Sequence, residues 1–239
     1  VDYFTREVSK RRAGEGMGQD MFSQFATATR EDGSLLPVDE VVDHMNFLMM
    51  AAHDTITSSA TALVYQLALH PEWQEKLRAE ALAVADNGEL AYDNLGRMEL
   101  TEMAFKEALR LIPPVPSMPR RALRDFEFGG YRIPAGTHVG INVHWTHHST
   151  DYWDEPERFE PIRFTREAEK ARHKYAWVPF GGGAHMCLGL HFAYMQVKVL
   201  MAQLLTRYRI TLEQGSGSDW QPWPIPKPKD GLRVVLTLV

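Results

Sequence analysis

The sequence predicts a mainly α-helical protein with a small β-sheet. A long apolar segment between Pro37 and Pro71 has the length and pattern of a single buried helix. Two further segments before Pro113 repeat apolar residues at helical spacing. A later segment alternates in polarity and turns at Gly129-Gly130 and at Pro134–Gly136, which is typical of a strand hairpin with a third strand.

The long helix is predicted from Val38 to His70. Pro37 is suited to the first turn of a helix, and Asp39 follows at the positive end of the helix dipole. The helix must end before Pro71, because a proline ring cannot continue it. Because its residues are apolar nearly all round, we expect most of this helix to be buried.

The remaining segments are assigned in the same way. The other predicted helices are DMFSQFATATR (20–30), PEWQEKLRAEALAVAD (71–86), TEMAFKEALRLI (101–112) and the segment from Cys187 to about Tyr208. Thr101 is the predicted N-cap of the helix 101–112. The tail GLRVVLTLV is predicted to be a strand. Residues 147–179 form a long irregular stretch, which is usually functional or held by specific contacts.

The composition is that of an ordinary globular protein. The chain has 239 residues, of which 44% are hydrophobic and 24% charged, and its net charge of −5 argues against bulk nucleic-acid binding. A single cysteine excludes an internal disulfide. The longest run without charged residues or histidine, Thr55 to Leu69, is too short to span a membrane. No targeting peptide is visible, and because the chain begins at Val1 in a charged stretch we expect a fragment.

The only cysteine, Cys187, lies in the segment VPFGGGAHMCLGLHFA, residues 178–193. A thiol at a helix start faces unpaired backbone N–H groups, which favour the thiolate, the metal-binding form. The glycines allow the backbone to approach a flat, bulky group. His185 can donate to an anion, and Phe180 can shield the sulfur from water. From these residues alone, a buried cysteine acting as a small hydrophobe is an equal alternative.

The segment FGGGAHMCLG resembles the haem-binding signature of the cytochrome P450 family. That signature fixes five places in ten residues, which makes it a specific signal. Here the fixed places are filled by Phe180, Gly183, His185, Cys187 and Gly189. His185 stands where arginine is commoner.

Three further segments resemble motifs of the same family and follow in its order. EALR resembles the Glu-x-x-Arg motif, and its spacing places Glu107 and Arg110 on one helix face. PERF, with Arg158, resembles the element that completes this charge network. AAHDTI resembles the oxygen-binding segment of the family's long central helix and gives Asp54 and Thr55.

The resemblance implies a role for each of these residues. Cys187 is expected to ligate the iron of haem b, and Asp54 and Thr55 to deliver protons on the oxygen-binding side. Arg120 is expected to meet a haem propionate, with Arg121 as the alternative, since a guanidinium suits a carboxylate. The residues implied to hold the haem are Ala51, Arg120, Pro179, Phe180, Gly181, Gly183, His185, Cys187 and Gly189. Val115, Pro116 and Met118 are expected to line the substrate side.

The implied activity is that of a haem-dependent monooxygenase that uses dioxygen to hydroxylate an apolar or amphipathic organic substrate. Electrons are expected from a ferredoxin or a flavoprotein reductase. Lys170, Arg172 and Lys174 form a candidate basic patch for an acidic redox protein, and a solvated charged loop is the alternative. Residues 1–239 resemble the C-terminal part of a single P450 domain. The N-terminal part is expected from further residues or from another chain, and a cytoplasmic location is expected.

Three other interpretations stay open at this point. A peroxide-driven haem-thiolate oxidase is one, although peroxide chemistry has less need of Asp54 and Thr55. A haem-binding fragment without turnover is the second. The third is a zinc site formed by His144, His147 and His148, for which no second ligand cluster is apparent.

Overall fold

Helices dominate the computed structural model, which describes residues 2–85, 90–214 and 219–239. Within these ranges lie eight α-helices: α1 (Asp2–Arg12), α2 (Met21–Thr27), α3 (Val38–Leu69), α4 (Pro71–Val84), α5 (Glu99–Leu111), α6 (Val143–His148), α7 (Arg166–Ala171) and α8 (Leu190–Leu205). The prediction of a mainly helical fold is confirmed. Asp86, the last residue of one predicted helix, lies outside the described residues.

The strands are short and dispersed. They are β1 (Ser117–Arg121), β2 (Phe126–Phe128), β3 (Tyr131–Ile133), β4 (His138–Asn142), β5 (Tyr208–Leu212), β6 (Trp220–Gln221), β7 (Lys227–Pro228) and β8 (Val234–Leu238). In the described ranges they pair antiparallel as four two-stranded sheets: β1 with β4, β2 with β3, β5 with β8, and β6 with β7.

The predicted hairpin is β2–β3. Gly129 and Gly130 at its turn have φ values of 55° and 80°, a left-handed conformation that glycine adopts without steric cost. The third predicted strand, β4, does not extend this hairpin. It pairs with β1, a strand that the sequence did not predict, and this register sets Arg120 opposite Val139.

Helix α3 has the predicted limits to within one residue. The expectation that most of it is buried is wrong for its middle. Phe47, Met49 and Met50 are 56%, 63% and 66% exposed, whereas Val41 on the same helix is fully buried. No helix in the described part of the chain has the length and apolarity that crossing a bilayer requires.

The chain divides into two units, Val1–Asp54 and Thr55–Val239. In the first unit, Arg12 of α1 donates to the carbonyl oxygens of Ala26 (2.8 Å) and Leu36. These bonds join α1 to the segments before and after the turn that follows α2. The apolar core of this unit is formed by Val8, Phe22, Ala26 and Val41.

In the second unit the part of α3 from Thr55 onward packs with α4, α5 and α8 around one apolar core. Its fully buried members include Leu63, Leu67, Leu77, Phe105, Leu109, Met201 and Leu205. Thr101 is not the cap of α5, which begins at Glu99. Instead the Glu80 carboxylate on α4 accepts from the backbone N–H groups of Leu100 (2.6 Å) and Thr101 (2.9 Å). This cap fixes α5, which carries Glu107 and Arg110.

Candidate functional site: the cysteine loop and its support

The segment from Val178 to Gly189, here called the cysteine loop, precedes α8. The N–H of Gly181 donates to the carbonyl oxygen of Val178 (3.0 Å), and the N–H of Cys187 donates to that of Phe180 (2.9 Å). These two bonds fold the loop back on itself. Cys187 is exposed and is a free thiol. Helix α8 begins at Leu190, so the thiol lies three residues ahead of the helix and not in its first turn.

Glycine is required in this loop for two separate reasons. Gly181 has φ +72° and Gly183 has φ +66°, both in the left-handed region. A Cβ on Gly181 would also lie 3.3 Å from the carbonyl oxygen of His185 and 3.6 Å from the sulfur of Met118. Met118 belongs to β1, so this close approach also places β1 beside the cysteine loop.

A row of aromatic side chains packs between the cysteine loop and α5. The ring of Phe180 packs against Trp177 and Tyr194 with centroid distances of 6.1 and 5.8 Å, and Tyr194 reaches Phe105 of α5 at 5.6 Å. Pro179 is buried beside Phe180. The loop therefore rests on the apolar core, and its tip, with His185 and Cys187, is exposed.

The other predicted site residues lie on different elements. Arg120 is half-buried on β1, and its guanidinium donates to the Pro119 carbonyl oxygen (2.9 Å). Ala51 and Asp54 belong to the first unit, where Nδ1 of His53 lies 2.7 Å from the Asp54 carboxylate. Thr55 begins the second unit, and its carbonyl oxygen accepts from the Ser59 hydroxyl (2.7 Å). The structure thus brings together the predicted residues of the cysteine loop, from Pro179 to Gly189.

Glu107 and Arg110 form a completely buried ion pair on α5. Arg110 Nε and Nη2 donate to the two carboxylate oxygens of Glu107 at 2.7 and 2.9 Å. The remaining donors reach backbone carbonyl oxygens, those of His147 (2.9 Å), Pro156 (2.7 Å) and Arg158 (3.1 Å). A guanidinium has five N–H donors, and all five are used. The predicted pairing on one helix face is present.

Arg158 does not complete this network with its side chain. Its guanidinium is 59% exposed and pairs with Glu155 and Glu160, each at 3.1 Å. Arg163, which the sequence analysis missed, brings its Nε to 3.5 Å from the Glu107 carboxylate. The signal was present, because Pro-x-Arg-Phe occurs twice, as PERF at 156–159 and as PIRF at 161–164.

His147 is buried against this network. It was predicted only as a candidate zinc ligand. Its Nε2 accepts from the backbone N–H of Val178 (2.9 Å). The rings of His144 and His148 contact each other at a tilt of 38°, with their centroids 4.2 Å apart. Across the residues that the structure describes, no three histidine, cysteine or acidic side chains are grouped to hold a metal ion. The three histidines are therefore not assembled as a zinc site.

The candidate basic patch is smaller than predicted. The guanidinium of Arg172 lies 4.0 Å from the ring centroid of Trp153 and donates to the carbonyl oxygen of Arg163. Burial also lowers the pKa of Arg172. The side chain of Arg172 thus packs inward against Trp153 and the backbone of Arg163, whereas Lys170 and Lys174 remain exposed.

Comparison with known proteins places this arrangement in a family. A family model described as cytochrome P450 matches residues 2–234. Putative cytochrome P450 136 of Mycobacterium tuberculosis is 41% identical over 98% of this chain and 48% of its own length, and human cytochrome P450 4X1 is 35% identical over 90% and 42%. The chain spans about half the length of these relatives. The solved structure of retinoic acid bound cyanobacterial CYP120A1 superposes with a TM-score of 0.91 at 30% identity, covering 100% of this chain and 56% of that one. A family match that extends over nearly the whole sequence shows that this chain belongs to the cytochrome P450 family.

Proposed function

We propose that the protein is a haem-dependent monooxygenase in which the Cys187 thiolate ligates the iron of haem b. One observation carries the proposal: the only cysteine of the sequence lies exposed on a loop with the family's haem-binding signature. Membership of the P450 family supports a haem cofactor and monooxygenase chemistry in general. The hydroxylated substrate is proposed to be an apolar or amphipathic organic molecule. Retinoic acid, which is bound in one structural neighbour, belongs to that class.

The residues around Cys187 fit a flat, largely apolar macrocycle. A thiolate is a soft ligand that iron accepts. Next to the thiol, Met186, Leu188 and Phe192 are 49%, 81% and 51% exposed, an apolar surface around a potential ligand. Gly189 adds no side chain there, and a Cβ at this position would be in ordinary contact with the Cys187 sulfur, at 3.8 Å. His185 and Arg120 offer donors for the carboxylates of the macrocycle.

Haem, held by Cys187, would supply the activation of dioxygen, which the electron density of a thiolate ligand would favour. The chain's own residues supply position and protons. The Thr55 hydroxyl is proposed to hold a proton at Oγ1, and the Asp54 carboxylate to exchange protons with solvent. The short side chain of Ala51 on α3 is proposed to leave room for the haem. The apolar Val115 and Met118 are proposed to contact the substrate.

Electrons are proposed to come from a ferredoxin or a flavoprotein reductase. Lys170 and Lys174 are the exposed cations just before the cysteine loop, and they can attract an acidic partner. Arg172 is not part of this proposal, because its guanidinium is stacked on Trp153.

The test is the spectrum of the ferrous carbonyl complex of the full-length protein. The expected result is the strongly red-shifted Soret band of a thiolate-ligated haem, its loss in Cys187→Ser, and its retention in the control Arg158→Ala, whose exposed side chain lies outside the cysteine loop. A thiolate-type band that persists in Cys187→Ser, or an imidazole-type band in the unmodified protein, would contradict the assignment. Turnover with peroxide, but none with a reductant and dioxygen, would replace the monooxygenase by a peroxide-driven oxidase.

A further inference from the structure

His147 joins two parts of the molecule that are far apart in sequence. Its backbone carbonyl oxygen accepts from Nη1 of Arg110 (2.9 Å), and its ring Nε2 accepts from the N–H of Val178 (2.9 Å). Val178 is the first residue of the cysteine loop. We infer that His147 is a positioning residue, which couples the buried Glu107–Arg110 pair to the loop that carries Cys187. The inference rests on the proposed role of Cys187 as the iron ligand.

The contacts of His147 decide which form of its ring is present. Because Nε2 accepts a hydrogen bond, the proton of the neutral ring must lie on Nδ1. Burial lowers the pKa of His147 to about 3, so the ring stays neutral at ordinary pH. The lone pair on Nε2 is therefore always available to the Val178 N–H.

This tautomer has a cost that argues for a specific role. Nδ1 of His147 is buried and makes no hydrogen bond of standard geometry among the described residues. The backbone groups of Arg110 and Leu109 raise the pKa of the ring, but burial outweighs them. A buried unpaired N–H is unfavourable, and an apolar side chain would avoid it. An apolar side chain would, however, leave the Val178 N–H without an acceptor. Histidine at this position is thus explained by what Nε2 does for the loop.

From Val178 the restraint continues to the thiol. The carbonyl oxygen of Val178 accepts from Gly181, and that of Phe180 accepts from the N–H of Cys187. Three hydrogen bonds therefore lie between the His147 ring and the backbone of Cys187. In contrast, the ring of the adjacent His148 contacts the His144 carbonyl oxygen (2.8 Å) and approaches Glu157 (4.0 Å). His148 is a matched control on the same helix.

The experiment compares two amide substitutions of His147 in the full-length protein. In His147→Gln the side-chain oxygen can reach the position of Nε2, whereas in His147→Asn it reaches only the position of Nδ1. Two quantities are measured at equal haem content. One is the share of the ferrous carbonyl complex with a thiolate-type band. The other is the hydrogen exchange rate of the Val178 and Cys187 amides. His148→Gln serves as the control.

We expect His147→Gln and His148→Gln to match the unmodified protein. In His147→Asn, Val178 should exchange about tenfold faster, as a loss of about 1.4 kcal/mol produces, and part of the carbonyl band should move to the imidazole-type position. Equal losses in the Gln and Asn variants, or unchanged values in Asn, would overturn the inference. So would rapid exchange of Val178 in the unmodified protein, a measurement that needs no variant to fold. If the unmodified protein lacks a thiolate-type band, the proposed function fails, and the coupling is then judged from amide exchange in the haem-free protein.

Discussion

Breaking the Glu107–Arg110 pair should destabilise the protein far more than breaking an exposed ion pair would. Both side chains have no solvent exposure, and Arg110 makes five hydrogen bonds. In Arg110→Met the Glu107 carboxylate stays buried. It keeps only the backbone N–H of Glu160 (2.9 Å) and the more distant Arg163 (3.5 Å) as partners. Removing one partner of a buried pair costs about 3 to 5 kcal/mol.

The free-energy losses of the two single variants should not add, because each loss arises from the same broken ion pair. Glu107→Gln alone leaves the Arg110 guanidinium buried with its three carbonyl partners, and we expect a loss of about 3 kcal/mol. In the double variant no buried charge of the pair remains uncompensated. The double variant should therefore be less destabilised than the sum of the single variants by about 1 to 3 kcal/mol.

Urea unfolding of the four proteins, followed by circular dichroism, measures these free energies. Arg158→Ala is the control, because its side chain is 59% exposed and its carbonyl oxygen, which Arg110 contacts, is unchanged. A loss below about 1 kcal/mol is expected there. Single-variant losses that add within about 0.5 kcal/mol would refute the reasoning, since they would mean that the two side chains do not interact.

Two pH-dependent predictions follow from other buried groups. Burial alone raises the pKa of Glu102, but hydrogen bonds from Lys198 and Lys106 outweigh it and hold that pKa below its usual 4.5. Its stabilising contribution is therefore present above pH 4.5 and is lost on acidification. Lys198→Met should lower the unfolding free energy at pH 7 by about 1 kcal/mol and flatten this loss, and equal acid sensitivity in both proteins would contradict it. The pKa of His147, lowered by burial from 6.5 to about 3, makes the unfolded chain bind a proton that the native ring does not. Stability should fall from about pH 6.5 towards pH 3 by up to ~1.4 kcal/mol per unit, and His147→Gln should remove this slope, which urea titrations at a series of pH values can measure.

Local rules predicted helices α2, α3, α4, α5 and α8, but they missed α1, α6 and α7. They predicted strand pairing across the chain poorly. The limits of α3 follow from Pro37 and Pro71, because proline acts on the backbone next to it. Strand β1 was missed, since its residues include Pro119 and its partner β4 is reached only after an intervening hairpin. Register between non-adjacent segments depends on tertiary packing, which a single sequence does not display.

Side-chain chemistry also predicted preferences without predicting partners. Phe47, Met49 and Met50 have the apolar character of buried residues, yet they are exposed. Arg158 and Arg163 lie in two equivalent Pro-x-Arg-Phe patterns, and only the fold shows that Arg163 is the one beside Glu107. Composition states what a residue favours, whereas the path of the backbone decides what it meets.

In the candidate site, too, the sequence identifies some of the residues and not others. The cysteine and its glycines form a readable motif, because Gly181 and Gly183 need a backbone conformation that few other residues accept. His147 belongs to no such motif. Its role arises where α5, the end of α6 and the start of the cysteine loop meet, at residues 37 and 31 positions away in sequence. A loop can therefore carry a complete signature and still depend, for the position of its thiol, on a side chain that the signature does not contain.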